Sequence, residues 1–205
     1  MDSNIIEKTK EKLAEYEERH EKILQAAIKL FNENGYPGTT TASIAKKAGV
    51  TEKTMYRHYQ NKMILFRECI LSIVAELTDL WQKELKEDDG NGTAYLKAIA
   101  ASYVNFVRNN PDKSMFMVHL YSYRAIPELD KGFKEFVDSR INDTEKIIGA
   151  MQKKGTIKSS IHPRVLAGIF IGQYFSVVFL SEFVKPELLN EDIVLELVNN
   201  VMKIN

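Results

Sequence analysis

Between Thr40 and Tyr59 the chain reads Thr40-Thr41-Ala42-Ser43-Ile44-Ala45-Lys46-Lys47-Ala48-Gly49-Val50-Thr51-Glu52-Lys53-Thr54-Met55-Tyr56-Arg57-His58-Tyr59. Its last third is dense in hydroxyls and cations. Thr51, Lys53, Thr54 and Arg57 carry groups that hydrogen-bond to base edges or phosphate oxygens. Tyr56 and His58 are placed to reach backbone oxygens from the flank of the same helix. For Glu52, solubility and the helix dipole are a stronger reading than contact with a cytosine. This is recognition chemistry. Bond-making chemistry lacks its usual signs: there is no Walker loop, GxSxG elbow, HExxH helix or spaced Cys/His cluster. The four His and one Cys are scattered, so neither an enzyme nor a metal site is expected.

The elements that must position these side chains are two short helices and a tight turn. Thr40 is placed to N-cap the first, and Ile44 and Ala45 give it an apolar face. Ala45 and Ala48 are small enough for close helix contact. Gly49 supplies the turn's backbone freedom, and Val50 packs inward. Thr51 N-caps the second helix, with Glu52 favourable in its first turn. Met55 and Tyr59, at i and i+4, share a face that should pack on a preceding helix. This is a helix-turn-helix, whose second helix enters the major groove.

Charge partitions along the chain in a way that agrees. The 205 residues hold 28 basic and 28 acidic side chains, a net of zero. Residues 19–66 nevertheless carry Arg19, Lys22, Lys29, Lys46, Lys47, Lys53, Arg57 and Lys62 against Glu21, Glu33 and Glu52, and acidic excess lies on both sides. A local basic block is the footprint of polyanion binding, and Lys62→Ala should shallow the salt dependence of that binding by about one. The single Cys69 excludes an intrachain disulfide, and no signal-peptide pattern fits the charged first eighteen residues. The longest uncharged run, Val165 to Ser181, is interrupted by glycine and polar residues and reads as a buried helix. A cytoplasmic protein is the expectation from these features.

Helical periodicity dominates the rest, with no alternating strand pattern. Leu13, Tyr16, His20, Ile23, Leu24, Ala27, Leu30 and Phe31 define one long helix that stops at Asn34-Gly35. Beyond the helix-turn-helix, Pro and Gly punctuation predicts helices near 61–86, 93–109, 112–124, 127–153, 163–184 and 190–202, with a polar loop at 87–92. The fold class is therefore all-α, with about nine helices.

Residues 20–66 resemble the DNA-binding domain of TetR-family transcriptional regulators. The resemblance rests on Ile23-Leu24-Gln25-Ala26-Ala27, Leu30-Phe31, Gly35-Tyr36, Thr39-Thr40, Ile44-Ala45, Ala48-Gly49-Val50, Thr54-Met55-Tyr56-Arg57-His58-Tyr59 and Asn61-Lys62. It implies DNA contacts at Thr40, Ser43, Thr51, Lys53, Thr54, Tyr56, His58 and Lys62. Two departures stand out. Lys53 takes a position where many members have a small residue, and Met63-Ile64 replaces a common acidic pair. The resemblance further implies three segments: an N-terminal helical extension over 1–19, the DNA-binding domain over 20–66, and a ligand-binding and dimerisation domain over 67–205. No cofactor is implied.

Two functions are expected of the last segment. The stripe Gly168, Gly172 and Ser176, flanked by Phe179, admits close helix approach. Val194, Leu197 and Val201 sit on one apolar face. Two such helices from each copy would form a homodimer interface, matching a palindromic operator. The aromatic and Met side chains of Tyr103, Phe106, Met117, His119, Tyr121, Tyr174 and Phe175 suit a pocket for an apolar or aromatic small-molecule effector. Arg124 offers a partner for an acid. The effector would release a repressor from its operator, with the helix at 61–86 as the lever. The rival expectation is a DNA-organising or division-associated protein of the same fold with no small-molecule inducer.

Overall fold

The computed structural model describes residues 3–84, 92–120, 122 and 126–202. Among these there are nine α-helices, a 3-10 turn at Pro186–Leu188, further 3-10 geometry at Leu120 and Ser122, and no strand. The helices are α1 (Ser3–Gly38), α2 (Thr41–Ala48), α3 (Glu52–His58), α4 (Lys62–Glu84), α5 (Thr93–Asn109), α6 (Pro111–His119), α7 (Pro127–Lys153), α8 (Pro163–Phe183) and α9 (Glu191–Met202). The chain divides into two compact units, Met1–Ile73 and Val74–Asn205. The expected loop at 87–92 lies outside the described residues except for Gly92.

In the first unit α1 is broken at Gly35, which adopts φ 69° and ψ 168°, and Pro37 sits in the last turn beyond it. The expected stop at Asn34-Gly35 coincides with this break. The early part of α1 departs from the expected amphipathic pattern: Leu13 and Tyr16 are exposed, and its buried face begins at Ile23. Exposed turns there are supported by i,i+4 pairs, Arg19 with Glu15 at 2.8 Å and Lys22 with Glu18 at 2.5 Å. The core of the unit joins Ile23, Ala27 and Phe31 of α1 to Ile44 of α2, Met55 of α3 and Leu65 and Phe66 of α4, all at 0% exposure. Gly49, at φ 70°, ends α2, and the Val50 N–H donates to the Ala45 carbonyl, which closes the turn in a Schellman pattern.

In the second unit α5 is the central element, packed by α6, α8 and α9. Leu96, Ala100, Phe106 and Val107 are buried along it. α7 and α8 pack on each other, and Arg164 at the start of α8 reaches Asp138, Asn142 and Glu145 of α7. α8 is long and apolar enough to cross a membrane by length and composition alone. Its Leu166, Ala167, Phe170, Tyr174, Val177 and Val178 are buried, as expected of a core helix. α6 ends at His119, five residues before the expected boundary at 124, and Tyr121 and residues 123–125 lie outside the described residues.

Candidate nucleic-acid interface and ligand cavity

The two helices of the reading head are capped by hydroxyls expected at the DNA. Thr40 Oγ1 accepts from the Ser43 N–H at 3.1 Å, and the Thr40 N–H donates back to Ser43 Oγ at 3.2 Å, a capping box. The Ser43 hydroxyl proton goes to the Thr40 carbonyl at 2.7 Å, so Ser43 has no proton left for a phosphate. Thr51 Oγ1 accepts from the Thr54 N–H at 3.1 Å and lies 3.0 Å from Thr54 Oγ1. Lys53 and Arg57 differ: both are exposed and neither has a side-chain partner among the described residues. Tyr56 is 46% exposed, and its hydroxyl lies 3.0 Å from Thr41 Oγ1. Thr41 therefore fixes where Tyr56 sits. No spacing rule relates residues fifteen apart across a turn, so the sequence carried no sign of it.

Lys62 is placed otherwise than a phosphate contact requires. Its ammonium donates to the carbonyls of Tyr36 and Thr39, both at 2.8 Å, and sits 4.3 Å from the Tyr36 ring centroid. Thr39 Oγ1 donates to the carbonyls of Leu30 and Gly35. Together these side chains satisfy carbonyls that the break at Gly35 would orphan. Desolvation lowers the Lys62 pKa. Lys62→Met should therefore cost about 2 kcal/mol, the scale of a lost charged hydrogen bond, in urea unfolding of the full chain. The salt slope of operator binding should stay as it was. A shallower slope with unchanged stability would return Lys62 to the phosphates.

His58 also faces inward. It stacks on Tyr16 of α1 with centroids 4.2 Å apart, near His20 at 5.9 Å and Tyr59 at 6.4 Å. Its Nδ1 is buried without a hydrogen-bond partner, as is that of His20. The expected backbone contact is thus replaced by packing, because the α3 face shared with Met55 and Tyr59 is sealed by α1. Burial first, then the charges of His20, Arg57 and Arg19, lowers the His58 pKa. The fold favours neutral His58, so its contribution is full above the unfolded value of about 6.5 and declines as pH falls below it. His58→Phe should keep the stack and flatten that dependence. Thermal melts at pH about 7.5 and about 5.5 measure it, and an undiminished difference in the variant would assign the effect to other groups.

The second unit encloses about 860 Å³ of empty space, mouth included. Five helices build its wall. Val74, Leu77, Thr78 and Trp81 come from α4; Tyr95, Ile99, Ser102 and Tyr103 from α5; Phe136, Val137, Arg140 and Thr144 from α7; Ile171, Tyr174 and Phe175 from α8; α6 adds Met117. Tyr103, Met117, Tyr174 and Phe175 were expected there. Phe106 is a correction. It lies on the Tyr103 face of α5 but one turn farther along, at 0% exposure in the closed core. His119 is likewise absent from the wall, and Tyr121 falls outside the described residues. Arg140 and Thr144 carried no signal, because a charged stretch of α7 reads as a solvated face.

The small-residue stripe on α8 faces outward. A Cβ added at Gly168 or Gly172 would meet nothing within 4 Å, and Ser176 is exposed. Around them Val165, Ile169, Phe175, Phe179 and Phe183 are all exposed, Phe179 and Phe183 at 63% and 73%. α9 does not match. Val194 and Leu197 are buried against their own unit, where α9 packs on α5 and α8, and the side chain of Val201 is outside the described residues. α9's apolar face is thus spent within the chain. Among the described residues no group of three or more His, Cys, Asp or Glu is arranged to hold a metal ion.

These features agree with the comparisons. A family model described as bacterial regulatory proteins, tetR family, matches residues 23–69. The nucleoid occlusion factor SlmA of Haemophilus ducreyi is 28% identical over 166 residues, covering 78% of this chain and 81% of SlmA. The tetracycline repressor protein class D of Escherichia coli is 32% identical over 90 residues, covering 44% of this chain and 35% of the repressor. Among solved structures, the transcriptional regulator FadR from Bacillus subtilis in complex with stearoyl-CoA superposes with a TM-score of 0.73 at 18% identity, over 90% of this chain and 98% of FadR. The helix-turn-helix carries the family's sequence and the whole chain its fold: the protein belongs to the TetR family of DNA-binding transcriptional regulators.

Proposed function

We propose that the chain is a cytoplasmic repressor that binds a palindromic operator as a homodimer and leaves it when an apolar or aromatic small molecule fills the cavity. The observation that carries the ligand-responsive part is the cavity itself, with its largely apolar wall and few polar groups. The FadR neighbour, solved with stearoyl-CoA, supports an apolar occupant at the level of fold. Lys53, Tyr56 and Arg57 are the side chains of α3 that reach DNA, with Thr40, Thr51 and Thr54 positioning the helix ends against phosphates. The exposed apolar stripe of α8 joins two copies, so that two α3 helices meet successive major grooves about 34 Å apart.

Release follows from linkage: an effector weakens DNA binding only by its preference for the conformation that binds DNA poorly. α4 is the element that transmits it. Its first part places Leu65, Phe66 and Cys69 in the core of the first unit, and its last part lines the cavity. The test is fluorescence anisotropy of a labelled palindrome selected from random DNA, titrated with the full chain and then with apolar compounds. Release by a compound that binds the cavity is expected. A compound that binds there tightly and leaves operator affinity unchanged overturns the reading.

The similarity to SlmA over most of the chain favours a second reading, a DNA-organising role on many chromosomal sites. Genome-wide binding separates the two. One or a few sites emptied by a small molecule support the repressor; many sites indifferent to it support the alternative.

A further inference from the structure

We propose that the cavity takes an apolar monocarboxylic acid as the free anion, with the carboxylate held at Arg140 and the hydrocarbon along the apolar wall. This deepens the effector reading above and rests on it. Several polar lining groups adjoin one another. Arg140 and Thr144, four residues apart on α7, share a face. The Tyr95 phenol hydrogen-bonds the Thr144 side chain, and the Arg140 charge acts on both Tyr95 and Tyr103. Val74, Leu77, Ile99, Phe136 and Ile171 leave the remaining wall apolar.

Charge decides the head group. Among the described residues Arg140 is the one cation lining the cavity, and its Nη2 donates to Asp143 Oδ2 at 3.1 Å. Asp143 does not cancel it, because the other carboxylate oxygen lies 3.8 Å from Lys146 Nζ. Asp143 is shared between the two cations, so the guanidinium beside the cavity is only partly neutralised. One carboxylate balances the remainder, and the guanidinium fork matches its geometry. A CoA thioester brings several phosphate charges to a wall with one cation. An alcohol leaves the charge unused.

Donor chemistry agrees. Burial raises the pKa of both Tyr95 and Tyr103, so both phenols keep their protons and remain donors. Trp81, which lines the cavity edge-on to Tyr95, has an indole N–H buried without an acceptor. Indole and guanidinium donate only, and an ionised carboxylate accepts only.

Isothermal titration calorimetry on the full chain tests this with decanoate, decan-1-ol and decanoyl-CoA. Decanoate should bind at least about tenfold more tightly than either of the others, a difference of about 1.4 kcal/mol. Arg140→Gln should bring decanoate down to the level of decan-1-ol and leave decan-1-ol unchanged, which also reports an intact fold. If Arg140→Gln fails to fold, Arg140→Lys is used; it keeps the charge but loses the fork, and should lose part of the preference. Equal or tighter binding of decan-1-ol or decanoyl-CoA by the native chain overturns the carboxylate assignment and leaves the effector reading standing. So does a decanoate preference that survives substitution of Arg140. Binding of none of the three overturns both.

Discussion

Phe179→Glu should convert a dimer into a monomer in sedimentation, and its affinity for a full palindrome should fall about 10²–10⁴-fold. The argument starts from α8. Phe179 and Phe183 stand 63% and 73% exposed with their rings 4.6 Å apart, and Val165 and Ile169 continue the stripe at 53% and 48%. Fully burying such a side chain from water is worth about 1.5–3 kcal/mol, and the part of each still exposed remains to be gained. Gly168 and Gly172, open at the Cβ position, let a second backbone approach the same face. A carboxylate there must be desolvated without a partner, which outweighs the apolar gain. The monomer keeps one reading head, so affinity for a single half-site should be unchanged while the avidity of two linked heads is lost. A Phe179→Glu chain that remains dimeric would place the interface on another face.

Helix boundaries were legible wherever a residue type forces them. Pro111, Pro127 and Pro163 each open a helix, and Gly35 and Gly49 take the positive φ that ends one. The reading head was legible for a similar reason, since Thr40 and Thr51 cap their helices within one turn and the i,i+4 spacing of Met55 and Tyr59 marks the face that packs on α1. What pattern alone did not reveal was the destination of a side chain that has two uses. Lys62 belongs to the basic block by charge, yet its ammonium goes to carbonyls contributed by residues 36 and 39. His58 reads as a polar flank and packs as an aromatic. Val194 and Leu197 form an apolar face equally suited to a partner or to α5, and sequence periodicity contains no term that distinguishes them. Arg140 is the reverse case: i+3 contact with Asp143 looks like an ordinary surface pair until the fold brings Tyr95 and Tyr103 to it.

The second large effect concerns the first unit alone. Phe66→Ala should destabilise it by about 3–5 kcal/mol, a large share of the 5–15 kcal/mol typical of a domain. Phe66 is fully buried and meets Phe31 and Tyr36 edge-on, with centroids 4.9 and 5.0 Å away. Those two rings come from either side of the break at Gly35, so Phe66 holds the end of α1 against the start of α4. Lys62 covers the Tyr36 ring in the same cluster. Removing the ring empties a site that rigid helices cannot close and loses the edge-to-face contacts as well. Phe66→Leu refills most of the volume and should cost about 1 kcal/mol. Operator binding should therefore fail for the Ala variant near its lowered melting point and persist for the Leu variant. The cavity wall begins at Val74, beyond this cluster, so calorimetric binding of an apolar effector should survive in both. Loss of effector binding together with DNA binding in Phe66→Ala would mean that the two units unfold as one. In that case the release of DNA by a ligand would have to be understood as a change in the stability of the whole chain, because no shift of α4 within a folded reading head would then be needed to explain it.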